Sequence, residues 1–383
     1  MIPYGKQYVD DADVAAVTEQ LRSDWLTQGP TVAKFEAALA EITGAKHVIA
    51  VANGTAALHL ACLAAEVREG SVGMTADITF AASANCIRYC GGRVRLVDVD
   101  PETALISIPA LEAAVRAEKP RVIIPVDLSG SVADLPAVQR IANEVGAIVI
   151  EDAAHSLGAE YTHEGRTYRA ASCAHSTMAI LSFHPVKHLT TGEGGAITTN
   201  DDALADRLRL LRSHGITRDP AKLTRNDGPW YLEQQELGYN YRITDLQCAL
   251  GVSQAAKLPG FLVRRREIAA RYDAAFARLS NITPLRVPGG VTSAYHLYVI
   301  RFGGSIEEAT AMRKAAYMKL RDAGISPQVH YVPVHGHPDY ARFVVGQTFP
   351  GADAYYAGCL SIPMYPALAD DDVQRVIDAV GAL

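Results

Sequence analysis

The stretch Ser182-Phe183-His184-Pro185-Val186-Lys187-His188, with Gly192-Glu193-Gly194-Gly195 just beyond it, places one lysine directly after the run His175 to Leu181, which reads as a strand entering the core. A lysine held away from water loses its proton readily, and the free amine is the nucleophile of Schiff-base chemistry. Ser182 offers a hydroxyl, and the glycines let backbone come close to a bound group. One cation among 36 Lys+Arg residues is ordinarily a solvated surface charge. Lys187 therefore gains meaning only from what else converges on it.

Three further segments supply candidate partners. Val51-Ala52-Asn53-Gly54-Thr55-Ala56 reads as a strand running into a helix, so free backbone N–H groups and a hydroxyl sit at a positive helix end suited to a phosphate. Asn-Gly is also an ordinary turn. Ile148-Val149-Ile150-Glu151-Asp152 is an apolar strand ending in acids. Carboxylates there are costly unless a cation meets them, and ligands of open α/β sheets bind at that edge. The bland alternative is an acid capping the next turn. Phe80, in Asp77-Ile78-Thr79-Phe80, is an aromatic that could lie on a planar cofactor, although a lone Phe is more often core. Acid, lysine and phosphate corner together describe a pyridoxal 5'-phosphate site, in which the acid keeps the pyridine nitrogen protonated so that the ring acts as an electron sink.

The elements that must position these residues alternate along the first half of the chain. Strand-like His47–Val51, Val94–Val99, Arg121–Val126 and Ala147–Glu151 are separated by helical Thr55–Ala65, Ile108–Ala117 and Asp134–Glu144. That is the rhythm of a parallel sheet covered by helices. Two more helices, Val9–Leu21 and Thr31–Ile42, precede it. A long helical region, Thr244–Leu279, leads to a mixed C-terminal part with a strand at Ala294–Phe302 and helices at Glu307–Ala323 and Ala369–Leu383. A single core stops growing at roughly 250 to 300 residues. The 383 residues are thus expected as a large α/β domain over 1–250 and a small α+β domain over 251–383.

Composition narrows the function classes. A formal net charge of −6 gives little attraction for a polyanion, so nucleic acid is not an expected partner. No run approaches the ~18 apolar residues of a membrane span, and the expected location is the cytoplasm. Six scattered cysteines without a CxxC pair suggest neither a zinc site nor a disulfide framework. His330, His335 and His337 lie in a loop broken by Pro333 and Gly336 with no interleaved carboxylate, so no metal is expected. An NAD-dependent oxidoreductase would show a GxGxxG after its first strand, and none is present. A non-catalytic regulator on the same scaffold would have no need of Lys187.

At this point the chain resembles a known family, the DegT/DnrJ/EryC1/StrS nucleotide-sugar aminotransferases. The resemblance runs through Leu26-Thr27-Gln28-Gly29-Pro30, Asn53 to Leu58, Glu151-Asp152-Ala153-Ala154-His155-Ser156, Ser182 to Lys187, Gly192 to Gly195, Leu237-Gly238-Tyr239-Asn240-Tyr241-Arg242 and Gln328-Val329-His330-Tyr331. It implies a fold type I aminotransferase with a seven-stranded, mainly parallel sheet. It also implies that pyridoxal 5'-phosphate, converted to pyridoxamine 5'-phosphate during turnover, carries an amino group from an amino acid, glutamate by analogy, to a nucleotide-linked keto-sugar.

By the same resemblance Lys187 binds the cofactor and shuttles a proton, Asp152 pairs with the pyridine nitrogen, Phe80 stacks on the ring and His155 lies beside it. Gly54, Thr55, Ala56 and Ser182 hold the phosphate. Asn240 reaches the phosphate of a neighbouring subunit's cofactor, implying a homodimer with shared active sites. Tyr4, Lys6, Thr27, Gln28, His184, Tyr231, His330 and Tyr331 are the implied substrate contacts. Within the family, Ile2 to Gln7, Trp230 to Glu236 and His330 to His335 resemble the branch that makes UDP-4-amino-4,6-dideoxy-N-acetyl-beta-L-altrosamine on the route to pseudaminic acid. Two stretches depart from the pattern near the expected sugar pocket: Asp127-Leu128-Ser129-Gly130 stands where many relatives have a histidine-led HxxG, and Gly73 to Asp77 lacks the usual proline.

Overall fold

The computed structural model describes residues 1–383. Strands β1 (His47–Val51), β2 (Val72–Ala76), β3 (Arg93–Val97), β4 (Val122–Ile124), β5 (Ile148–Asp152), β6 (Met178–Ser182) and β7 (Gly195–Thr199) form one seven-stranded sheet in the order β1-β7-β6-β5-β4-β2-β3. All neighbours are parallel except β7, which runs antiparallel to both β1 and β6. The expected fold is therefore present. Val122, Ile123 and Ile124 are fully buried, as strands covered by helices on both faces must be.

Two strands had no strand signature in the sequence. β2 (Val72-Gly73-Met74-Thr75-Ala76) and β7 (Gly195-Ala196-Ile197-Thr198-Thr199) carry few large β-branched apolar residues, because their neighbours fill the space instead. A Cβ on Gly73 would lie 2.6 Å from the Ile87 side chain, and one on Gly195 would lie 2.5 Å from the Asn53 carbonyl group. Gly195 lets β7 pass directly beneath the turn into helix α1 (Gly54–Ala64).

Register fixes the site. Val51 and Ser182 both pair with Gly195, and Asp152 pairs with Ile180. The ends of β1, β5 and β6 thus meet at one edge of the sheet, the edge where ligands of such folds bind.

Two hydrophobic clusters are buried. The larger, of 77 residues, surrounds the seven-stranded sheet. The smaller, of 20 residues, lies against the antiparallel strands Ile282–Pro284, Tyr298–Phe302 and Cys359–Ile362. The helix Asp245–Phe276, opened by a Thr244–Gln247 capping box, joins them. Cys248, Ala255, Leu258 and Leu262 enter the large cluster, and Ile268, Tyr272 and Phe276 enter the small one.

Candidate active site

The phosphate-type corner forms because Asn53 leaves β1 with extended backbone and caps α1, its Oδ1 accepting from the Ala56 N–H at 2.8 Å. That bond occupies the Ala56 amide, so Ala56 contributes structure rather than a free donor. The Gly54 and Thr55 amides, in the first turn, have no helical partner. A Cβ on Gly54 would sit 3.1 Å from Ser182 Cβ and 3.3 Å from its Oγ. The serine hydroxyl therefore closes against the helix end, and together they make a compact set of donors for an anion.

Across the cavity Asp152 ends β5 with its side chain buried. Ser83 Oγ donates to Asp152 Oδ2 at 2.6 Å, and the Ala154 N–H donates to Oδ1 at 3.2 Å. Burial raises this carboxyl, while those donors and the Lys187 charge oppose the rise. Glu151 points to the opposite face, as successive strand residues do; it accepts from the Ala171 N–H at 2.8 Å and Ser176 Oγ at 3.2 Å. Of the two acids only Asp152 lines the cavity.

Lys187 follows β6 on a turn closed by its N–H donating to the His184 carbonyl at 2.9 Å. Burial pulls its amine down to about 8, with the Asp152 charge opposing. The residue keeps part of its surface on the cavity, so the amine is desolvated by its walls yet reachable from inside. Near neutral pH a lysine of this kind has roughly three-hundredfold more free amine than an ordinary one.

The remaining wall is built of neutral rings. His155 and His296 line the cavity, with the His188 ring behind His296 at 5.5 Å; all three are buried, and burial holds each well below the usual imidazole range. His155 Nε2 lies 3.3 Å from the Tyr331 hydroxyl, and its ring centre is 4.3 Å from that of His296. His155 Nδ1 has no partner within the chain. His330, pushed down to about 3 by burial, accepts or donates with Ser361 Oγ at 2.8 Å and packs 4.9 Å from Tyr4. Phe80 stands 62% exposed at the mouth, 6.1 Å from Tyr331.

These groups enclose about 470 Å³. Of the residues singled out in the sequence, the cavity brings together Tyr4, Gly54, Thr55, Phe80, Asp152, His155, Ser182, His184, Lys187, His330 and Tyr331. It does not include Lys6, Thr27, Gln28, Ala56, Tyr231 or Asn240. Lys6 lies with Gln7 and His188 in a small adjoining hollow on the other side of Lys187, which lines both. Thr27 bridges Thr244, and Asn240 bridges Ser213. Gln28 forms the turn before the helix Pro30–Thr43, with φ of 56°. The Tyr231 hydroxyl is engaged by Arg225 Nε at 3.0 Å. Sequence reasoning passed over Ser83 and His296. Ser83 begins the helix Ala82–Tyr89, and only the fold carries it to Asp152, 69 positions away.

Two amides and a hydroxyl for a phosphate, a buried carboxylate for a ring nitrogen and a desolvated amine for an aldehyde fit pyridoxal 5'-phosphate. With the sheet they define a fold type I, pyridoxal-phosphate-dependent aminotransferase. The sequence matches the DegT/DnrJ/EryC1/StrS aminotransferase family over residues 7–381, and the chain belongs to that family. It is 37% identical over 382 residues to the spore coat polysaccharide biosynthesis protein SpsC of Bacillus subtilis, covering 99% of this chain and 96% of that protein. It is 34% identical, with the same coverage, to the UDP-4-amino-4,6-dideoxy-N-acetyl-beta-L-altrosamine transaminase of Campylobacter jejuni. The solved structure of Helicobacter pylori PseC, an aminotransferase involved in pseudaminic acid biosynthesis, superposes with a TM-score of 0.90 at 29% identity, covering 100% of this chain and 98% of that one.

Proposed function

We propose that the protein moves an amino group from an amino acid, L-glutamate first among the candidates, to the C4 keto carbon of a nucleotide-linked 4-keto-6-deoxy sugar. The leading acceptor is UDP-2-acetamido-2,6-dideoxy-beta-L-arabino-hex-4-ulose. The observation that carries this reading is the convergence of the Lys187 amine, the Asp152 carboxylate and the Gly54-Thr55-Ser182 corner on one cavity. The substrate class is supported by the altrosamine transaminase relative and by the PseC likeness.

In this account the cofactor, when bound, supplies an electron sink. Lys187 would hold it, and its free amine would be the base placed to move a proton at the substrate carbon. Asp152, oriented by Ser83, stabilises positive charge on the ring nitrogen. Gly54, Thr55 and Ser182 would bind the phosphate, His155 and Phe80 would contact the ring, and Tyr4, His184, His330 and Tyr331 would contact the sugar. Asn240 is assigned to the partner subunit's phosphate in a homodimer. Trp230 and Leu237, 73% and 77% exposed on either side of the segment leading to it, are apolar surface of the kind a subunit seam covers. No helix is long and apolar enough to cross a membrane, and the proposed location is the cytoplasm.

Incubating the protein with pyridoxal 5'-phosphate, glutamate and a panel of UDP-, GDP- and dTDP-linked keto-sugars, with product masses read, tests the reading. Amination of the UDP-linked 4-keto sugar supports it. Preference for a GDP- or dTDP-linked sugar would move the assignment to another member of the same substrate class.

A further inference from the structure

Two features of the sequence have no part in the site described above: the loop histidine His335, and the stretch Gly73 to Asp77, which lacks the usual proline. The fold brings them together. Asp77 leaves β2 fully buried, and its N–H donates to the Val97 carbonyl at 2.9 Å, which fixes it to the sheet. Every other polar atom of the residue meets the C-terminal loop. Its carbonyl accepts from the Val334 N–H at 2.9 Å, Oδ1 accepts from the His335 N–H at 2.9 Å, and Oδ2 meets His335 Nδ1 at 2.5 Å. A buried carboxylate without a partner is costly, so the loop cannot leave Asp77 without a penalty.

His335 is also held from its other side. Its Nε2 lies 3.3 Å from Asp353 Oδ1, and its ring stacks on Phe349 at 4.9 Å, both residues belonging to the start of the helix Pro350–Gly358 and its cap. Asp98, a third carboxylate near the ring, accepts from the Gly351 and Ala352 N–H groups at 2.9 and 2.8 Å. These acids favour the charged imidazole, which makes the contact with Asp77 charge-assisted.

Neither Asp77 nor His335 lines the cavity, but each is a few positions from residues that do. Thr79, Phe80 and Ser83 follow Asp77, while His330 and Tyr331 precede His335. Phe80 and Tyr331 stand at the mouth with ring centres 6.1 Å apart. A second tie lies further along the loop, where the Tyr340 hydroxyl donates to Asn85 Oδ1 at 2.6 Å and Arg88 pairs with Asp339 at 2.5 Å. That tie keeps the far end of the loop on the helix Ala82–Tyr89 when the contact at Asp77 is broken.

We propose that Asp77 and His335 form a positioning clasp that holds the wall carrying His330 and Tyr331 against the turn carrying Phe80, setting the width of the mouth through which the nucleotide-linked sugar binds. The inference rests on the sugar-acceptor reading above. The clasp acts on sugar binding more than on the chemical step, because Asp152 and Ser182 are placed by strand register and Lys187 by the turn after β6. A small amino acid needs less of the mouth than a sugar nucleotide does.

His335→Phe keeps the stacking on Phe349 and loses both nitrogen contacts, and Asp77→Ala removes the carboxylate. In cofactor-loaded protein each should raise KM for the preferred keto-sugar about tenfold, the low end for hydrogen bonds to charged groups, with kcat held within about twofold. Conversion of the bound cofactor by glutamate alone, read from its absorbance, should stay nearly unchanged. In the wild type the sugar KM should rise as pH climbs through the raised His335 midpoint, and Asp77→Asn, similar in shape but uncharged, should flatten that rise. Hydrogen exchange requires no sugar: peptides over residues 329–337 should exchange faster in both disrupting variants, while those over residues 148–156 should not. Equal losses in the glutamate and sugar steps, an unmoved sugar KM, or unchanged exchange over residues 329–337 would overturn the proposal. If wild-type protein aminates no keto-sugar, the acceptor reading fails and the exchange result still decides the clasp. The partly exposed His335 supplies a variant that does not depend on a change at the buried Asp77.

Discussion

Asp152→Asn changes one buried charge at almost constant shape, and two consequences can be worked out. The first concerns Lys187 in the cofactor-free protein. Its amine already lies at about 8 instead of 10.5, with Asp152 as the charge that holds it from falling further. A charge of this kind shifts a neighbour by about one to three units, so the variant's lysine should titrate at about 7 or below. The pH dependence of its reaction with a small aldehyde reads this directly. The second concerns turnover. If the charge is worth as much to the transition state as a buried pair is to folding, about 3 to 5 kcal/mol, kcat falls about 10²- to 10⁴-fold at 1.36 kcal/mol per decade. Steady-state assay with glutamate and the preferred keto-sugar gives that number. Wild-type turnover in Asp152→Asn, or an unmoved Lys187 titration, would refute the reasoning. Glu151 could not take over, because it lies on the other face bonded to Ala171 and Ser176.

Lys187→Met should abolish turnover and also stabilise the cofactor-free protein. The folded-state value of about 8 lies below the ordinary 10.5, so the unfolded chain binds the extra proton between those values, and wild-type stability rises with pH across that window. The variant's advantage, at most about 3 kcal/mol near neutral pH, should therefore shrink as pH climbs from 8 to 10.5 in denaturant titrations. Ser83→Ala should raise the Asp152 carboxyl further and weaken it as an anion, because the hydrogen bond that opposes its burial is lost. An unchanged acid limb in aldehyde capture by Lys187 would count against this. Asp77 is buried and accepts from both the backbone N–H and Nδ1 of His335, at 2.9 and 2.5 Å, and this contact raises His335 above 6.5. Its stabilisation is fully present below 6.5 and is lost as pH rises through the raised value; Asp77→Asn should flatten that dependence in thermal melts. Mixing Lys187→Ala chains with Asn240→Glu chains, each inactive alone, should restore activity at sites that take their lysine from the second and their asparagine from the first. Heterodimers shown by mass to be present yet inactive would remove Asn240 from the partner's site.

The sequence and the fold agree where a residue's role is local. The run from Ile148 to Asp152 is apolar until it reaches the acids, and β5 ends there. Asn53-Gly54-Thr55 announces a helix start, and α1 begins there. Long-range positions carry no such signal. Ser83 meets Asp152, and His296 packs on His155, only because of how the sheet and the C-terminal segment are arranged. β2 and β7 were illegible because their small residues are chosen by what lies against them, Ile87 over Gly73 and Asn53 over Gly195. Lys6 shares a motif with the cavity residue Tyr4, whereas the motifs of Thr27, Gln28 and Tyr231 bring no residue to the cavity; motif membership does not specify the direction of a side chain. Each is turned to a different neighbour in the single chain.

The most direct test follows one nitrogen. Protein loaded with pyridoxal 5'-phosphate is reduced with borohydride in one portion and supplied with heavy-nitrogen glutamate and the UDP-linked 4-keto sugar in another. The account predicts a cofactor adduct on Lys187 in the first portion and a labelled amino-sugar nucleotide in the second. A cofactor adduct on another lysine, or no label in any nucleotide sugar of the panel from protein carrying the Lys187 adduct, would contradict it.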